Sequence, residues 1–270
     1  MTTSTAVPLI DLQALAGSER FNRAIQLEET DATIATLVRG KKMHFIASSR
    51  RLLWQSVGQE YIEPELLDFI DAIPAGSALF DIGASTGIFA LYAACKGCAV
   101  VAFEPEAANF WILSQNAFLN RGGMAQPIRC FNLALSNSTG LTNMFIKKWE
   151  AGGHMKILDK PQEVGAGLFA PEHVQPVLTF RLNDFLRHTG IAVPQYVKID
   201  VDGAELPVLQ GMRDVLSNPQ LRSIFIELEE DKPDTMSCLK LLYETGFQVT
   251  QKKQVQNYAG LHNLVLTRRA

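Results

Sequence analysis

Short apolar runs alternate with longer segments of helical spacing from residue 64 onward. The runs predict buried strands, and the segments between them, whose apolar side chains recur every three or four positions, predict helices. The predicted strands are 78–82, 99–103, 128–132, 196–199, 221–228, 247–250 and 261–267. The predicted helices begin at Pro64 and then occupy 88–94, 107–119, 206–216 and 235–246.

Strands that are nearly continuous in apolar residues and alternate with helices indicate a parallel sheet covered by helices on both faces. The last two predicted strands are joined by a polar segment, 251–260, that has no helical pattern. We therefore expect an α/β fold with a mostly parallel sheet that ends in an antiparallel hairpin at one edge.

The first part of the chain departs from this alternation. Residues 1–60 carry no strong strand signal, and 25–37 has helical spacing. We expect an N-terminal helical extension or cap, 1–60, followed by the main domain, 61–270.

A second departure lies within the main domain, at 135–180, which we call the insert. It contains two predicted strands, 141–147 and 176–180, on either side of a long glycine-rich loop. Because such loops in compact domains are usually functional or disordered, we expect substrate contacts here, including one at Gly153.

The composition narrows the class of protein. The 270 residues allow one elaborated domain, and 25 basic against 28 acidic side chains give a net charge of -3, which argues against nucleic acid as a partner. The longest apolar runs are about ten residues, short of the roughly 20 that a membrane helix needs. Residues 1–8 lack the basic and apolar regions of a secretory signal, so we expect a cytoplasmic protein. Homo-oligomerisation stays open at this point.

Four cysteines are few for this length. Cys95 and Cys98 share the spacing of redox and zinc sites, but they end a predicted helix, and no second such pair exists in the sequence. We expect reduced thiols in the core.

The residues that follow each strand carry the chemical information, because ligands of open α/β sheets bind at the carboxyl ends of the strands. Residues 81–87, Asp-Ile-Gly-Ala-Ser-Thr-Gly, allow a tight turn before a helix N-terminus. A dinucleotide fingerprint needs no acid before its first glycine. Asp81 instead favours a nearby ammonium group, as in S-adenosylmethionine. Glu104, which precedes Pro105 after the second strand, can bind ribose hydroxyls, a feature that NAD and adenosyl cofactors share.

Residues 198–205, Lys-Ile-Asp-Val-Asp-Gly-Ala-Glu, place three carboxylates after a later strand. Packing does not explain them, since unpaired buried acids are costly. A calcium loop is excluded, because Gly211 stands at position twelve from Asp200, where such a loop needs Glu. Asp200-x-Asp202 also occurs in metal-dependent sugar-nucleotide glycosyltransferases, which makes that class the competing hypothesis. Glu227, at the end of the next strand, is a candidate substrate contact.

Together, these and other motifs resemble the FkbM-type methyltransferases in order and spacing, from about residue 60 to the end. The motifs are Glu63-Pro-Glu65, residues 81–87, Phe103-Glu-Pro-Glu106 with Asn109, Leu133-Ala-Leu-Ser136, Glu150-Ala-Gly-Gly153, residues 198–205, Ile226-Glu-Leu228 and Asn263. The resemblance implies a Rossmann-like, seven-stranded class I fold that uses S-adenosylmethionine. It also implies methyl transfer, usually to a hydroxyl of a sugar, glycan or secondary metabolite.

The resemblance also implies roles for individual residues. Asp81, Gly83 and Gly87 would line the methionine and ribose, Glu104 would bind the ribose hydroxyls, and 132–134 would edge the adenine. The expected cofactor-binding set is Asp81, Gly83, Ala84, Ser85, Gly87, Glu104, Pro105, Asn132, Ala134 and Asp200. One departure is Ser85, where the family usually has Asn.

Transfer to a hydroxyl requires a base, and the candidates are Asp200, Asp202 and His154. We expect no bound metal, although Asp200, Asp202 and Glu227 could converge on a divalent ion. A binding module without catalysis is a third hypothesis. The acids at the strand ends predict a locally acidic cleft that suits a neutral or cationic acceptor.

Overall fold

The computed structural model describes residues 19, 32–153, 155–163, 167–256 and 258–269. Its strands, numbered along the chain, are β1 (Thr33–Val38), β2 (Lys41–Ile46), β3 (Ala78–Ile82), β4 (Ala99–Phe103), β5 (Arg129–Phe131), β6 (Ala134–Leu135), β7 (Gly140–Ile146), β8 (Lys156–Leu158), β9 (Gln162–Glu163), β10 (Gly167–Leu168), β11 (His173–Phe180), β12 (Tyr196–Ile199), β13 (Ser223–Glu229), β14 (Phe247–Gln254) and β15 (Leu261–Arg268). Its helices are α1 (Arg50–Val57), α2 (Gln59–Ile62), α3 (Pro64–Asp71), α4 (Ile88–Cys95), α5 (Ala107–Asn120), α6 (Leu182–Thr189), α7 (Glu205–Gly211), α8 (Arg213–Ser217) and α9 (Pro233–Glu244).

A seven-stranded sheet in the order β5-β4-β3-β12-β13-β15-β14 forms the centre of the fold. Its strands from β5 to β13 pair in parallel, and β15 is antiparallel to both of its neighbours. The predicted parallel sheet with an antiparallel hairpin at one edge is confirmed.

Helices cover both faces of this sheet. Adjacent residues of β3 point to opposite sides, so that Leu79 joins one hydrophobic cluster and Phe80 joins another. The cluster of Leu79 includes buried side chains of α3 and α4, and the cluster of Phe80 includes those of α6 to α9. The central strands β3, β4, β12 and β13 are therefore buried on two sides, which accounts for their nearly continuous apolar sequences.

The prediction of helical structure over 25–37 is wrong from Thr33 onward, because β1 and β2 form an antiparallel hairpin there. Arg39 and Gly40 make its two-residue turn, with φ of 44° and 80°. Positive φ at both positions is the geometry that twisted hairpins favour. The alternation of buried Met43 and Phe45 with exposed neighbours was the signal for a strand. Residues 25–31 lie outside the described residues, and the domain boundary at residue 60 stays a prediction.

The insert folds as a second sheet, in the order β6-β11-β7-β8, with β9 and β10 as a separate pair. Its two predicted strands correspond to β7 and β11. Met144, Ile146 and Val177 form a small core of their own on one face of this sheet. The insert is therefore a folded unit attached to the carboxyl ends of the main sheet.

Two further features bear on the composition. Cys95 and Cys98 are free thiols, and burial raises the pKa of Cys98 to about 11, which supports the expectation of unreactive core cysteines. In the part of the chain that the structure describes, no helix has the length and apolar character required to span a membrane.

Candidate active site at the carboxyl ends of the strands

A buried lysine organises the carboxyl ends of β3 and β12. Lys198 is 4% exposed and lies opposite Asp81, its register partner in the neighbouring strand. Its Nζ is 3.1 Å from Oδ1 of Asp81 and 3.2 Å from Oδ2 of Asp200, and it donates a hydrogen bond of 2.7 Å to the carbonyl of Gly83. Sequence reasoning assigned no role to Lys198. A lysine inside an apolar strand was the available signal, since buried lysines are almost always paired.

Further carboxylates surround this lysine. Glu63, just before α3, and Glu227, in β13, interact electrostatically with Asp200 and with each other. Burial, followed by the nearby Asp200, raises the pKa of both glutamates, and burial also raises the pKa of Asp81. The cluster thus has more acids than its one lysine can balance, and it favours an added positive charge.

The glycine loop after β3 is shaped mainly by contacts within the protein. Gly83 has a φ of 79°, and a Cβ there would lie 1.9 Å from the carbonyl oxygen of Asp200. Gly87 has a φ of 82°, and its Cβ would lie 2.4 Å from Cδ1 of Leu113. Both glycines are therefore required by packing and backbone conformation, whether or not a ligand approaches them.

Ser85 also has a positive φ, 50°. Asn adopts this left-handed region more readily than Ser does, because its short amide can bond locally to the backbone. The departure of this chain from the usual family residue therefore falls at a conformationally demanding position.

Glu104 joins two of the loops at the strand ends. Its Oε2 accepts a hydrogen bond of 2.7 Å from the backbone N–H of Ser85, and its Oε1 accepts one of 2.9 Å from the N–H of Glu106. Burial raises its pKa to about 7. Each oxygen keeps a second lone pair, so both can still accept a hydrogen bond from a ligand hydroxyl.

Asn132 extends this network to β5. Its side-chain amide donates to the carbonyls of Glu104 and Pro105, at 2.9 and 3.0 Å. Asn132 is exposed, and Ala134, two residues later, is buried. The candidate residues that follow β3, β4 and β5 are thus brought together at the carboxyl ends of these strands.

The insert contacts the carboxyl ends of the strands through Lys156. Its Nζ lies 2.7 Å from Oε2 of Glu106, and both side chains are buried. Glu106 also caps α5 by accepting hydrogen bonds from the N–H groups of Ala108 and Asn109. The backbone N–H of Lys156 donates to Oδ2 of Asp202, so this exposed side chain also contacts the insert.

The glycine-rich loop of the insert is held at Gly152. Its N–H donates to Oδ1 of Asn109 at 2.7 Å, and its carbonyl accepts from Nε of Arg51 at 2.6 Å and Nε2 of Gln55 at 3.1 Å. Oε1 of Gln55 in turn accepts from Oγ1 of Thr86 at 3.1 Å. No motif in the sequence assigned a role to Arg51 or Gln55.

The structure does not place every predicted residue. His154 lies outside the described residues, so its role stays a prediction. Gly153 is next to the anchored Gly152, and Glu227 faces the acidic cluster. Within the described ranges, no three His, Cys, Asp or Glu side chains are arranged to hold a metal ion, including Asp200, Asp202 and Glu227.

Comparison with known proteins identifies the family. Residues 81–249 match the family described as the methyltransferase FkbM domain, which is more than half of the chain. The chain belongs to the FkbM methyltransferase family. This membership favours a methyltransferase over the glycosyltransferase suggested by Asp200-x-Asp202, and it confirms the resemblance in the sequence motifs.

Several curated methyltransferases are similar to this chain. Methyltransferase 1 of Beauveria bassiana is 29% identical over 210 residues, which cover 72% of this chain and 83% of that protein. The 31-O-demethyl-FK506 methyltransferase FkbM of Streptomyces tacrolimicus is 27% identical over 66% of this chain and 75% of that protein. The hexuronic acid methyltransferase AglP of Haloferax volcanii is 24% identical over 75% of this chain and 77% of that protein.

Solved structures identify the fold. Magnesium protoporphyrin IX methyltransferase from Synechocystis, with bound S-adenosylmethionine, has a TM-score of 0.50 at 11% identity and covers 97% of this chain and all of that one. The methyltransferase FkbM from Methylobacillus flagellatus also has a TM-score of 0.50, at 14% identity, over 73% of this chain and 45% of that one. The predicted class I methyltransferase fold is confirmed.

Proposed function

We propose that this protein uses S-adenosylmethionine to methylate a hydroxyl group of a sugar, glycan or secondary metabolite. The observation that carries the proposal is the acidic cluster around Lys198, at the strand ends of a chain that belongs to the FkbM family. The name of one relative, which acts on 31-O-demethyl-FK506, supports an oxygen acceptor, and the name of another, which acts on a hexuronic acid, supports an acceptor of the sugar class.

The residues present fit this cofactor by charge. S-adenosylmethionine supplies an activated methyl group on a sulfonium and also carries an ammonium group. Asp81 and Asp200 together exceed the charge of Lys198, and Glu63 and Glu227 add to that excess when they are ionised. In our proposal, Asp81 and Asp200 hold the cationic end of the cofactor, and Lys198 keeps both carboxylates in place.

Hydrogen-bonding capacity at the neighbouring strand ends suits the nucleoside. Glu104 can accept from both ribose hydroxyls with the lone pairs that the amides of Ser85 and Glu106 leave free. Asn132 holds the carbonyls of Glu104 and Pro105, so we assign it to the wall of the adenine site together with Ala134. Ala84 and the glycines shape the loop between these groups.

The acceptor hydroxyl needs a group that takes its proton. Asp200 fits this role by geometry, because Oδ2 contacts Lys198 while about a third of the side chain, 35%, is exposed. Asp202 accepts a hydrogen bond from the backbone of the insert and is better placed to orient that segment. Glu227 lies beside Asp200 and is our candidate for contact with the acceptor, together with Gly153.

Calorimetry with S-adenosylhomocysteine tests the cofactor site directly. We expect the wild-type protein to bind it, and Asp81→Asn and Glu104→Gln to weaken binding at least about tenfold, a loss of about 1.4 kcal/mol. Glu244→Gln, at an exposed position on α9, is the matched control and should bind as the wild type does. Absence of binding by the wild type, or unchanged binding by both site variants, would contradict the proposal.

The acceptor class is tested by methyl transfer from radiolabelled S-adenosylmethionine to a panel of hydroxylated sugars, uronic acids and polyketides. The acidic cluster predicts that neutral or cationic acceptors are preferred to phosphorylated ones. Tight binding of a polyphosphorylated acceptor would be evidence against this assignment. Transfer to a nitrogen or carbon acceptor alone would show that the reaction is not O-methylation.

A further inference from the structure

Helix α1 bridges two loops of the candidate active site. Arg51 and Gln55, one turn apart on this helix, both donate to the carbonyl of Gly152 in the insert. Gln55 also accepts a hydrogen bond from Thr86 in the glycine loop. Helix α1 lies outside the residues matched by the family, 81–249, so family membership does not explain this arrangement.

Where α1 meets the insert, there is no space for a side chain at Gly152. Gly152 is buried with a φ of 76°, and a Cβ there would lie 2.5 Å from Oε1 of Gln55. Both backbone polar groups of Gly152 are bonded to side chains, the N–H to Asn109 and the carbonyl to α1. The position of the loop is therefore set by groups that lie outside the insert.

The end of the bridge at the cofactor site is equally constrained. Thr86 is 2% exposed and lies between Ser85 and Gly87, which we assign to the cofactor. Its hydroxyl donates to Gln55, and its carbonyl accepts a hydrogen bond of 2.8 Å from the side-chain amide of Asn116. A shift of the glycine loop would break or lengthen at least one of these bonds.

The amide of Gln55 can serve both ends at once because it has a donor group and an acceptor group. The carbonyl of Gly152 requires the NH₂ end, so the oxygen faces Thr86. We infer that Gln55 is a positioning residue that couples the glycine loop 83–87 to the insert loop 150–153, so that cofactor binding sets the position of the loop that faces the acceptor. This inference rests on the proposed function.

Hydrogen exchange with and without S-adenosylhomocysteine tests the coupling. In the wild type, we expect the ligand to slow amide exchange in 150–153, although these residues belong to the insert. Gln55→Leu keeps the side-chain size, removes both hydrogen bonds and should abolish that response. Because coupling is reciprocal, the same substitution should weaken ligand binding, by about fivefold.

Substitutions at Thr86 separate coupling from a local structural role. Thr86→Val removes only the hydroxyl, far along the chain from 150–153, and should abolish the response of that loop to the ligand. Thr86→Ser keeps the hydroxyl and should restore the response. Arg50→Gln, at an exposed position of the same helix, should behave as the wild type does.

The outcomes distinguish this inference from the proposed function. If the wild type binds S-adenosylhomocysteine but exchange in 150–153 does not respond, or if Thr86→Val responds as the wild type does, the coupling is wrong and the proposed function stands. If the wild type does not bind the ligand, both are wrong. Should Gln55→Leu fail to fold, the pair of Thr86 variants still decides the question.

Discussion

The strand ends around Lys198 and the insert around Gly152 are both candidate functional regions of this protein, but they are built differently. Lys198 and Asp81 lie opposite each other because two parallel strands share a register. Gly152 is held by side chains that are 97 and 101 positions away in the chain, on a helix from another part of the fold.

A local sequence motif is therefore sufficient to locate the first region but not the second. At the strand ends, the backbone of the sheet brings the residues together, so a motif after each strand identifies the site. In the insert, side chains of α1 and α5 position the loop, so no local motif reveals its partners. We expect the first region to contribute more to the stability of the fold than the second, whose main role is to position a loop.

Replacing Lys198 by Met should have the largest effect on stability. Without its ammonium group, Asp81 and Asp200 lose their shared cation, and Asp81 is buried. Breaking a buried ion pair from one side typically costs about 3–5 kcal/mol of unfolding free energy. Urea denaturation of the purified variant would measure this loss.

The corresponding change in the insert, Lys156→Met, should cost less, about 2 kcal/mol. Glu106 keeps its two hydrogen bonds from backbone amides at the N-terminus of α5, where the helix dipole also favours its charge. Lys240→Met, at a position that is 76% exposed, is the control and should leave the unfolding transition unchanged. Equal losses for Lys198→Met and Lys156→Met would contradict the contrast between the two regions.

Alanine substitutions at Gly83 and Gly152 should give the next largest difference in stability between the two regions. Gly83→Ala brings a Cβ against the backbone oxygen of Asp200, which cannot move without shifting a strand end, so we expect a loss of about 3 kcal/mol. Gly152→Ala meets the end of the flexible Gln55 side chain instead and should cost less, though it should speed amide exchange in 150–153.

Two other glycines provide matched controls for the cost of positive φ itself. Gly76 and Gly40 have φ of 85° and 80° with open space where a Cβ would be. Their alanine variants should lose about 1 kcal/mol each, the cost of the left-handed backbone conformation alone. If Gly83→Ala resembled Gly76→Ala in thermal denaturation, the close packing against Asp200 would be unimportant for stability.

The dependence of stability on pH compares one titrating carboxyl group in each region. Burial raises the pKa of Glu104 to about 7, above its unfolded value of 4.5, so the folded protein binds a proton more tightly than the unfolded chain. The free energy of unfolding should therefore fall as the pH rises between these values, by at most about 1.4 kcal/mol per pH unit from this group. Glu104→Gln should flatten the curve measured by denaturation at several pH values.

Glu150 of the insert is the comparison for that experiment. Lys148 holds the pKa of its carboxyl below the usual value, with a further contribution from Arg51, so its titration lies below the window in question. Glu150→Gln should leave the curve between pH 5 and 7 as in the wild type. If Glu150→Gln changed the slope of unfolding free energy against pH and Glu104→Gln did not, the insert and not the strand ends would contain the titrating group.

Much of the fold was predictable from the sequence, because strands and helices that are buried on fixed sides carry a periodic apolar pattern. The runs that became β3, β4, β12 and β13 were visible in this way, as was the order of the motifs that follow them. The family was predictable for the same reason, since its motifs stand directly after those strands. The candidate cofactor residues follow from these motifs and await the binding experiment.

Other features depended on contacts between distant segments. The hairpin of β1 and β2 replaced an expected helix, and buried Asn116 and Asn120 of α5 bond to the edge of β2. Their spacing of four residues predicts a shared helix face, but it does not identify the strand that they contact.

Local sequence was sufficient for the α/β architecture, the strand-end acids and the family, because each depends on residues that are neighbours in the chain. Only the folded chain shows that Lys198 balances Asp81 and Asp200, that Gly83 is required by the carbonyl of Asp200, and that α1 holds the insert at Gly152. These outcomes required the packing of remote segments, since hydrogen bonds and close contacts between them leave no periodic pattern in either segment.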